Sequence, residues 1–264
     1  MYDFRYHRPS SIDAAVALLD AAEDGQPLAG GQTLIPTLRQ RLAQPSDLVD
    51  LAGIDDLAGI RILGGSVEVG AMTLHADVAA SNDLRKAIPA LAALASLIGD
   101  PQVRNRGTIG GSLATNDPAA DYPAAVLGLD ATIQTNRREI AADTFFAGLF
   151  ETALKESEII TGVSFPLPEK AGYAKFPNPA SRYAIAGVFV AHTGSVVRVA
   201  ATGAGDCVFR VRAFERALAV DFSPGALDGV AVEAEALNSD IHASAEYRAH
   251  LIGVMAKRAV ASAS

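Results

Sequence analysis

Two short segments pair glycines with hydroxyl and amide side chains, a pattern suited to holding an anion. The first is Leu28-Ala29-Gly30-Gly31-Gln32-Thr33-Leu34-Ile35, a glycine pair between a strand-like piece and a helix start. Glycine permits positive φ and close approach of backbone to a ligand. The amides that follow can point at a phosphate, and a helix N-terminus adds favourable polarity. Gln32 and Thr33 supply further donors. Taken alone, the segment reads first as a tight structural turn, since glycine pairs are common turn punctuation. The second segment is Arg104-Asn105-Arg106-Gly107-Thr108-Ile109-Gly110-Gly111-Ser112-Leu113-Ala114, again paired glycines flanked by hydroxyls, or a turn with solvated arginines. Two such segments in one chain favour a ligand with two phosphates. Asp117 and Asp121 follow, either as acceptors for sugar-type hydroxyls or as helix caps before Pro118 and Pro123.

Other chemistries lack their residues. No G-x-x-x-x-G-K-[ST] loop occurs, which argues against P-loop phosphoryl transfer. Gly203-Ala204-Gly205-Asp206-Cys207-Val208 starts like a dinucleotide fingerprint but has no third glycine. No H-E-x-x-H or G-x-S-x-G is found. His7, His75, His192, His242 and His250 are scattered without metal-ligand spacing, so solvent-facing or capping roles are expected and no metal site is predicted. Cys207 is the single cysteine, which leaves no internal disulfide and no four-cysteine zinc or iron–sulfur site. It reads as a small packed residue.

Several elements are expected to position these segments. Pro9-Ser10-Ser11-Ile12-Asp13 reads as a helix start with Ser10 as cap, and Ile12, Ala15, Val16 and Leu19 share one face. A second helix begins near Leu34, with Leu34, Leu38 and Leu42 on one side. Residues 59–72 read as a hairpin turning at Gly64-Gly65. A helical pattern covers 83–98, bent or divided at Pro89, and stops before a Gly-, Asn-, Asp- and Pro-dense stretch at 99–121. A helix at Pro123–Leu129 and a strand at Ala131–Thr135 follow. Beyond a composition shift at Pro166-Leu167-Pro168, Tyr183–His192 and Ser195–Ala201 read as a hairpin turning at Thr193-Gly194. The alanine-rich remainder reads as helical and ends in a helix at Ala245–Ala261.

The 264 residues carry a net charge of −8, half are hydrophobic and a fifth charged. That composition fits a globular protein of two compact units. The acidic balance argues against nucleic acid as a partner. No apolar run is long enough to span a bilayer. The start, Met1-Tyr2-Asp3-Phe4-Arg5-Tyr6, has no apolar signal core, so a cytoplasmic, reducing location is expected.

LAGGQTLIP near the start and RNRGTIGGSLATNDPAADYPA in the middle together resemble the FAD-binding medium subunits of molybdenum hydroxylases, the family of xanthine dehydrogenase and the carbon monoxide dehydrogenase medium chain. YAKFPNPASRYAIAGVFVA at 173–191 resembles the start of that family's C-terminal domain, so the likeness runs along nearly the whole chain. The resemblance implies an α+β protein. A two-lobed α/β FAD-binding domain of the PCMH type would occupy 1–168, with lobes of about 1–54 and 55–168. A C-terminal domain of small antiparallel sheet plus helices would occupy 169–264. It implies that Leu28 to Ile35, with Ala29, Gly30, Gly31, Gln32 and Thr33 closest, wrap the pyrophosphate of FAD. Thr108, Ile109, Gly110, Gly111 and Ser112 form the second loop. Asp121, nine residues after Ser112, stands where the family has an acidic FAD contact. Ile160 and Lys175 match positions touching the flavin or its chain, and Tyr183 lies where some members place an aromatic beside the isoalloxazine. Lys175 would offset negative charge on reduced flavin, or be an ordinary surface lysine. Tyr183 would cover the ring, or be a core tyrosine.

The resemblance further implies an electron-transfer subunit with no general acid or base of its own. A molybdopterin-type cofactor in a large partner subunit would oxidise the substrate, and [2Fe-2S] clusters in a small subunit would carry electrons. FAD on this chain would pass them to an external acceptor, in a dimer of heterotrimers. The single cysteine excludes the family variant with an iron–sulfur cluster inserted in this subunit. The alternative is a free-standing FAD-dependent reductase or oxidase of related fold.

Overall fold

The computed structural model describes residues 1–264. The first sheet is small and parallel. Strands β1 (Arg5–His7), β2 (Gly25–Leu28) and β3 (Asp47–Asp50) lie in the order β1-β3-β2, with α1 (Ile12–Ala21) and α2 (Leu34–Arg39) as the crossovers. Ser11, not Ser10, caps α1: its hydroxyl accepts from the amide of Ala14. Ala15 and Leu19 bury against Val49, Leu51 and Leu57. In α2 only Leu38 is buried, and Leu42 is exposed beyond its end, because the helix stops after six residues.

The central region holds a five-stranded sheet ordered β4-β5-β10-β6-β7. Its strands are β4 (Ile60–Leu63) and β5 (Ser66–Gly70), then β6 (Thr132–Thr135), β7 (Glu139–Ala141) and β10 (Ile160–Pro166). Between β5 and β6 run α3 (His75–Ala80), α4 (Asn82–Ala87), α5 (Pro89–Ser96), α6 (Pro101–Arg104), α7 (Ile109–Thr115) and α8 (Tyr122–Gly128). The hairpin turns at Gly64-Gly65, both at positive φ, and Pro89 opens α5 at its first position, so the proline divides two helices. Short α9 (Ala142–Phe145) buries Ala142 and Phe145 in the central core, while β8 (Phe146–Gly148) and β9 (Glu151–Thr152) form a separate two-stranded flap, which Asn116 pins. Asn116 is left-handed at φ 45°, and its amide donates to the carbonyls of Gly148 (2.8 Å) and Glu151 (2.7 Å).

The last sheet is antiparallel: β11 (Lys170–Pro177), β12 (Ala184–Thr193), β13 (Val196–Thr202) and β14 (Phe209–Arg210) in chain order. The β12–β13 hairpin turns at Gly194, φ 59°. α10 (Arg212–Val220) and α11 (Ala245–Ala261) cover one face, while residues 221–244 have little regular structure. The other face joins the central core. Phe189, Ala191 and Ala200 pack among the central residues, and a Cβ on Gly128 would stand 2.9 Å from the Phe189 ring. Arg198 fixes this seam, donating to the carbonyl of Leu127 and pairing with Asp130 and Asp143. No helix is long and apolar enough to cross a membrane.

Candidate cofactor site

A cavity of about 780 Å³ opens where the three sheets converge, within the size range of pockets for substantial organic ligands. It is lined from the N-terminal sheet by Ala29, Gly30, Gly31, Gln32, Thr33 and Leu34. The central region adds Thr108, Gly110, Gly111, Ser112, Asp121 and Ile160, and the β11–β12 connection adds Ser181, Arg182 and Tyr183. Leu28 and Ile35 stand behind the first turn. Gly31, at φ 70°, passes so close beneath Ile35 that a Cβ would come within 2.9 Å of its side chain.

The two glycine segments serve differently. In the first, the amides of Gly30, Gly31, Gln32, Thr33 and Leu34 donate to no protein acceptor. A run of free amides beside a cavity is a cradle for an anion. Since α2 spans only six residues, the cradle rests on these local amides more than on a helix dipole. The second pair is not a turn. Thr108 caps α7, accepting from the Gly111 amide at 3.2 Å, and Gly110 and Gly111 lie in the first helical turn. The amides of Ile109, Gly110, Gly111 and Ser112 are all spent, on Thr73 O, Ala71 O, Thr108 Oγ1 and Thr108 O. Helical phase turns Ile109 into the central core, fully buried and off the cavity. What remains for a ligand here is the Ser112 hydroxyl and the closeness that glycine allows. A Cβ on Gly30 would lie 2.1 Å from the Arg106 carbonyl oxygen, and one on Gly111 would lie 3.3 Å from Ala29 Cβ. The glycines therefore let the two segments touch. Arg104 is no solvated charge, since it donates to the carbonyls of Ile98 and Gly99.

Asp121 and Lys175 form a buried pair at 2.9 Å, with side chains 5% and 3% exposed. Asp121 also accepts from the Tyr173 hydroxyl, and its side chain does not cap α8. Burial raises its pKa, and the Lys175 ammonium opposes that rise. Lys175 is neither a surface lysine nor a cavity wall. Its ammonium sits behind Asp121 and donates also to the carbonyls of Leu97 (2.8 Å) and Arg182 (3.0 Å). The pair thus ties the central helices to the loop that presents Tyr183. Asn178 shapes that loop: its side-chain oxygen accepts from the amides of Ala180 and Ser181. Tyr183 is 47% exposed on the cavity and is no core residue. Burial of its hydroxyl, then Asp117 and Asp121, raise its pKa. Asp117 closes a local turn onto the Ala119 amide.

Sequence reading missed three groups. Phe150 reaches the cavity from the flap at φ 55°, and residues 154–159, leading into the expected Ile160, form a wall. Buried Glu158 fixes that wall, accepting from Arg138, Thr135 and the Lys155 amide; the Arg138 guanidinium, foremost, draws its pKa down to about 2. His75, expected at the surface, is 5% exposed and lines the cavity. Only tertiary packing exposes these roles.

A sequence profile described as the FAD binding domain in molybdopterin dehydrogenase matches residues 2–168. The chain belongs to that family. It is 38% identical to the nicotine 6-hydroxylase medium subunit of Paenarthrobacter nicotinovorans, over 98% of this chain and 96% of the relative. It is 39% identical to the carbon monoxide dehydrogenase medium chain of Afipia carboxidovorans, over 97% and 95%. Among solved structures, carbon monoxide dehydrogenase from Hydrogenophaga pseudoflava superposes with a TM-score of 0.86 at 35% identity, covering 98% of this chain and 96% of that one. Quinoline 2-oxidoreductase from Pseudomonas putida 86 superposes at 0.88 with 28% identity, over 98% and 96%. The chain is thus an FAD-binding flavoprotein subunit of the molybdenum hydroxylases, with their α+β fold. The cavity suits that cofactor: free amides stand ready for a diphosphate, and buried Asp121 lies on the same wall as Tyr183.

Proposed function

We propose that this chain takes electrons from [2Fe-2S] clusters of a small partner subunit and delivers them through FAD to an external acceptor. A large partner carrying a molybdopterin-type cofactor would oxidise the substrate, and the assembly would be a dimer of heterotrimers. The observation that carries this reading is the row of unengaged amides from Gly30 to Leu34, facing a cavity that Tyr183 borders at another edge. FAD supplies the redox chemistry; the chain binds it, orients it and limits water. Gly30 to Leu34 would hold the diphosphate, with the Ser112 hydroxyl opposite. Asp121 would accept from sugar-type hydroxyls with the oxygen capacity left beyond Tyr173 and Lys175. Ile160 and Tyr183 would flank the ring. Lys175 would act through Asp121, holding it ionised. Residues 1–168 would form the FAD-binding domain and 169–264 the covering domain.

The test is anaerobic. Complex stripped of flavin is mixed with a substrate found by screening carbon monoxide and aromatic N-heterocycles, the substrates named for relatives. Paramagnetic resonance should show reduced iron–sulfur clusters before FAD is restored, while acceptor reduction should require FAD. Clusters that stay oxidised until FAD returns would place the flavin earlier in the sequence and overturn the proposal.

A further inference from the structure

His75 sits at the junction of the two glycine segments. Its backbone amide donates to Gly107 O at 2.9 Å, and Leu74 bridges Thr108. A Cβ on Gly107 would stand 2.5 Å from His75 Nε2, so glycine at 107 makes room for this ring. A Cβ on Gly30 would stand 2.7 Å from the Gly107 Cα, which places the ring one residue away from the first segment. The imidazole is 5% exposed, lines the cavity and hydrogen-bonds to no protein group; its Nδ1 is fully enclosed, so Nε2, on the Gly107 side, is the nitrogen left open to a ligand. Tyr122 packs on the ring at 5.3 Å between centroids and restricts its orientation. A buried imidazole without a partner is costly, and such groups recur where a ligand completes the set.

We infer that the His75 imidazole is a hydrogen-bonding contact to the diphosphate of the bound dinucleotide, doing for the second segment what free amides do for the first. The inference rests on the proposed FAD site. The need is plain from the second segment, where all four amides from Ile109 to Ser112 are engaged within the chain. Burial, then the Arg104 charge, lower the His75 pKa to about 4. In the flavin-free chain the ring is therefore neutral at pH 7 and carries one N–H, which at Nε2 can donate to a phosphate oxygen without first gaining a proton.

The full chain should be prepared flavin-free as wild type, His75→Gln and His75→Leu. FAD affinity is read by flavin fluorescence, and ADP, which carries the diphosphate without the flavin, by competition. His75→Leu should weaken both ligands about tenfold or more, His75→Gln about threefold or less, and the Leu variant should melt no lower without ligand. In histidine-labelled wild-type chain, the ring nitrogen signals that the Gln variant lacks should move when ADP is added. A Leu variant that binds both ligands as wild type does, with unmoved signals, would overturn the inference. Loss for FAD but not ADP would also overturn it, by removing the contact from the diphosphate. If the wild-type chain bound no FAD, the site itself would be at fault instead.

Discussion

Replacing Lys175 with Met keeps the length of the side chain and removes its charge. Asp121 would remain 5% exposed in its side chain, with Tyr173 as its only side-chain donor. Breaking a buried pair from one side costs about 3–5 kcal/mol, because the surviving charge is left uncompensated. Three acceptors also lose their donor: Asp121, Leu97 O and Arg182 O. At roughly 2–4 °C per kcal/mol for a chain of this size, the flavin-free protein should melt about 6–20 °C lower. The double variant Asp121→Asn with Lys175→Met should lose clearly less than the sum of the single losses, since neutral Asn needs no cation. Calorimetry of the four proteins in one buffer measures both. A Lys175→Met chain melting within about 2 °C of wild type would refute the reasoning, as would strict additivity.

Three further outcomes are expected. Gly30→Ala should destabilise by about 1–3 kcal/mol by forcing the two glycine segments apart, whereas Gly253→Ala, where an added Cβ meets nothing within 4 Å, should stabilise α11 by about 0.5–1 kcal/mol; urea unfolding compares them. The folded chain holds His75 below its ordinary pKa, so the unfolded state takes up that proton first, and stability present above pH 6.5 should fall as pH drops toward about 4. That contribution is on the order of 3 kcal/mol at most; His75→Leu should remove it, and an unchanged pH slope would refute it. Glu158 acts lower down: its stabilisation, full above its ordinary 4.5, should fade as pH falls toward about 2 and should vanish in Glu158→Gln melting profiles.

Features governed by local chemistry were legible in the chain. Gly64-Gly65 and Thr193-Gly194 mark hairpins because Gly64, Gly65 and Gly194 sit at positive φ, which demands glycine at the turn. The helix at Ala245–Ala261 has the predicted limits, and Ser244 caps it. Local pattern left alternatives open, or misled, where distant residues decide. Gly110-Gly111 looks like a turn in one dimension, but Thr108 caps a helix through it, and Ala71 and Ala29 crowd against it. Lys175 looks like a surface cation until Asp121, 54 positions away, meets it in the interior. His75 lacks any local pattern and owes its burial to Gly107 and Tyr122. Of the residues expected to touch the cofactor, Leu28, Ile35, Ile109 and Lys175 stand behind the cavity wall, and the rest line it.

The most direct test of the account is the flavin content of freshly isolated Gly31→Val protein beside wild type. Residue 31 sits at φ 70° under Ile35, among the free amides, so a branched side chain would disrupt the cradle while the separate cores of the central and C-terminal sheets persist. Acid extraction and chromatography should release one FAD per wild-type chain and no FMN. The variant should keep a cooperative melting transition and contain little flavin. FMN in the wild type, or full FAD occupancy in a folded Gly31→Val chain, would contradict the assignment of this cavity to the dinucleotide.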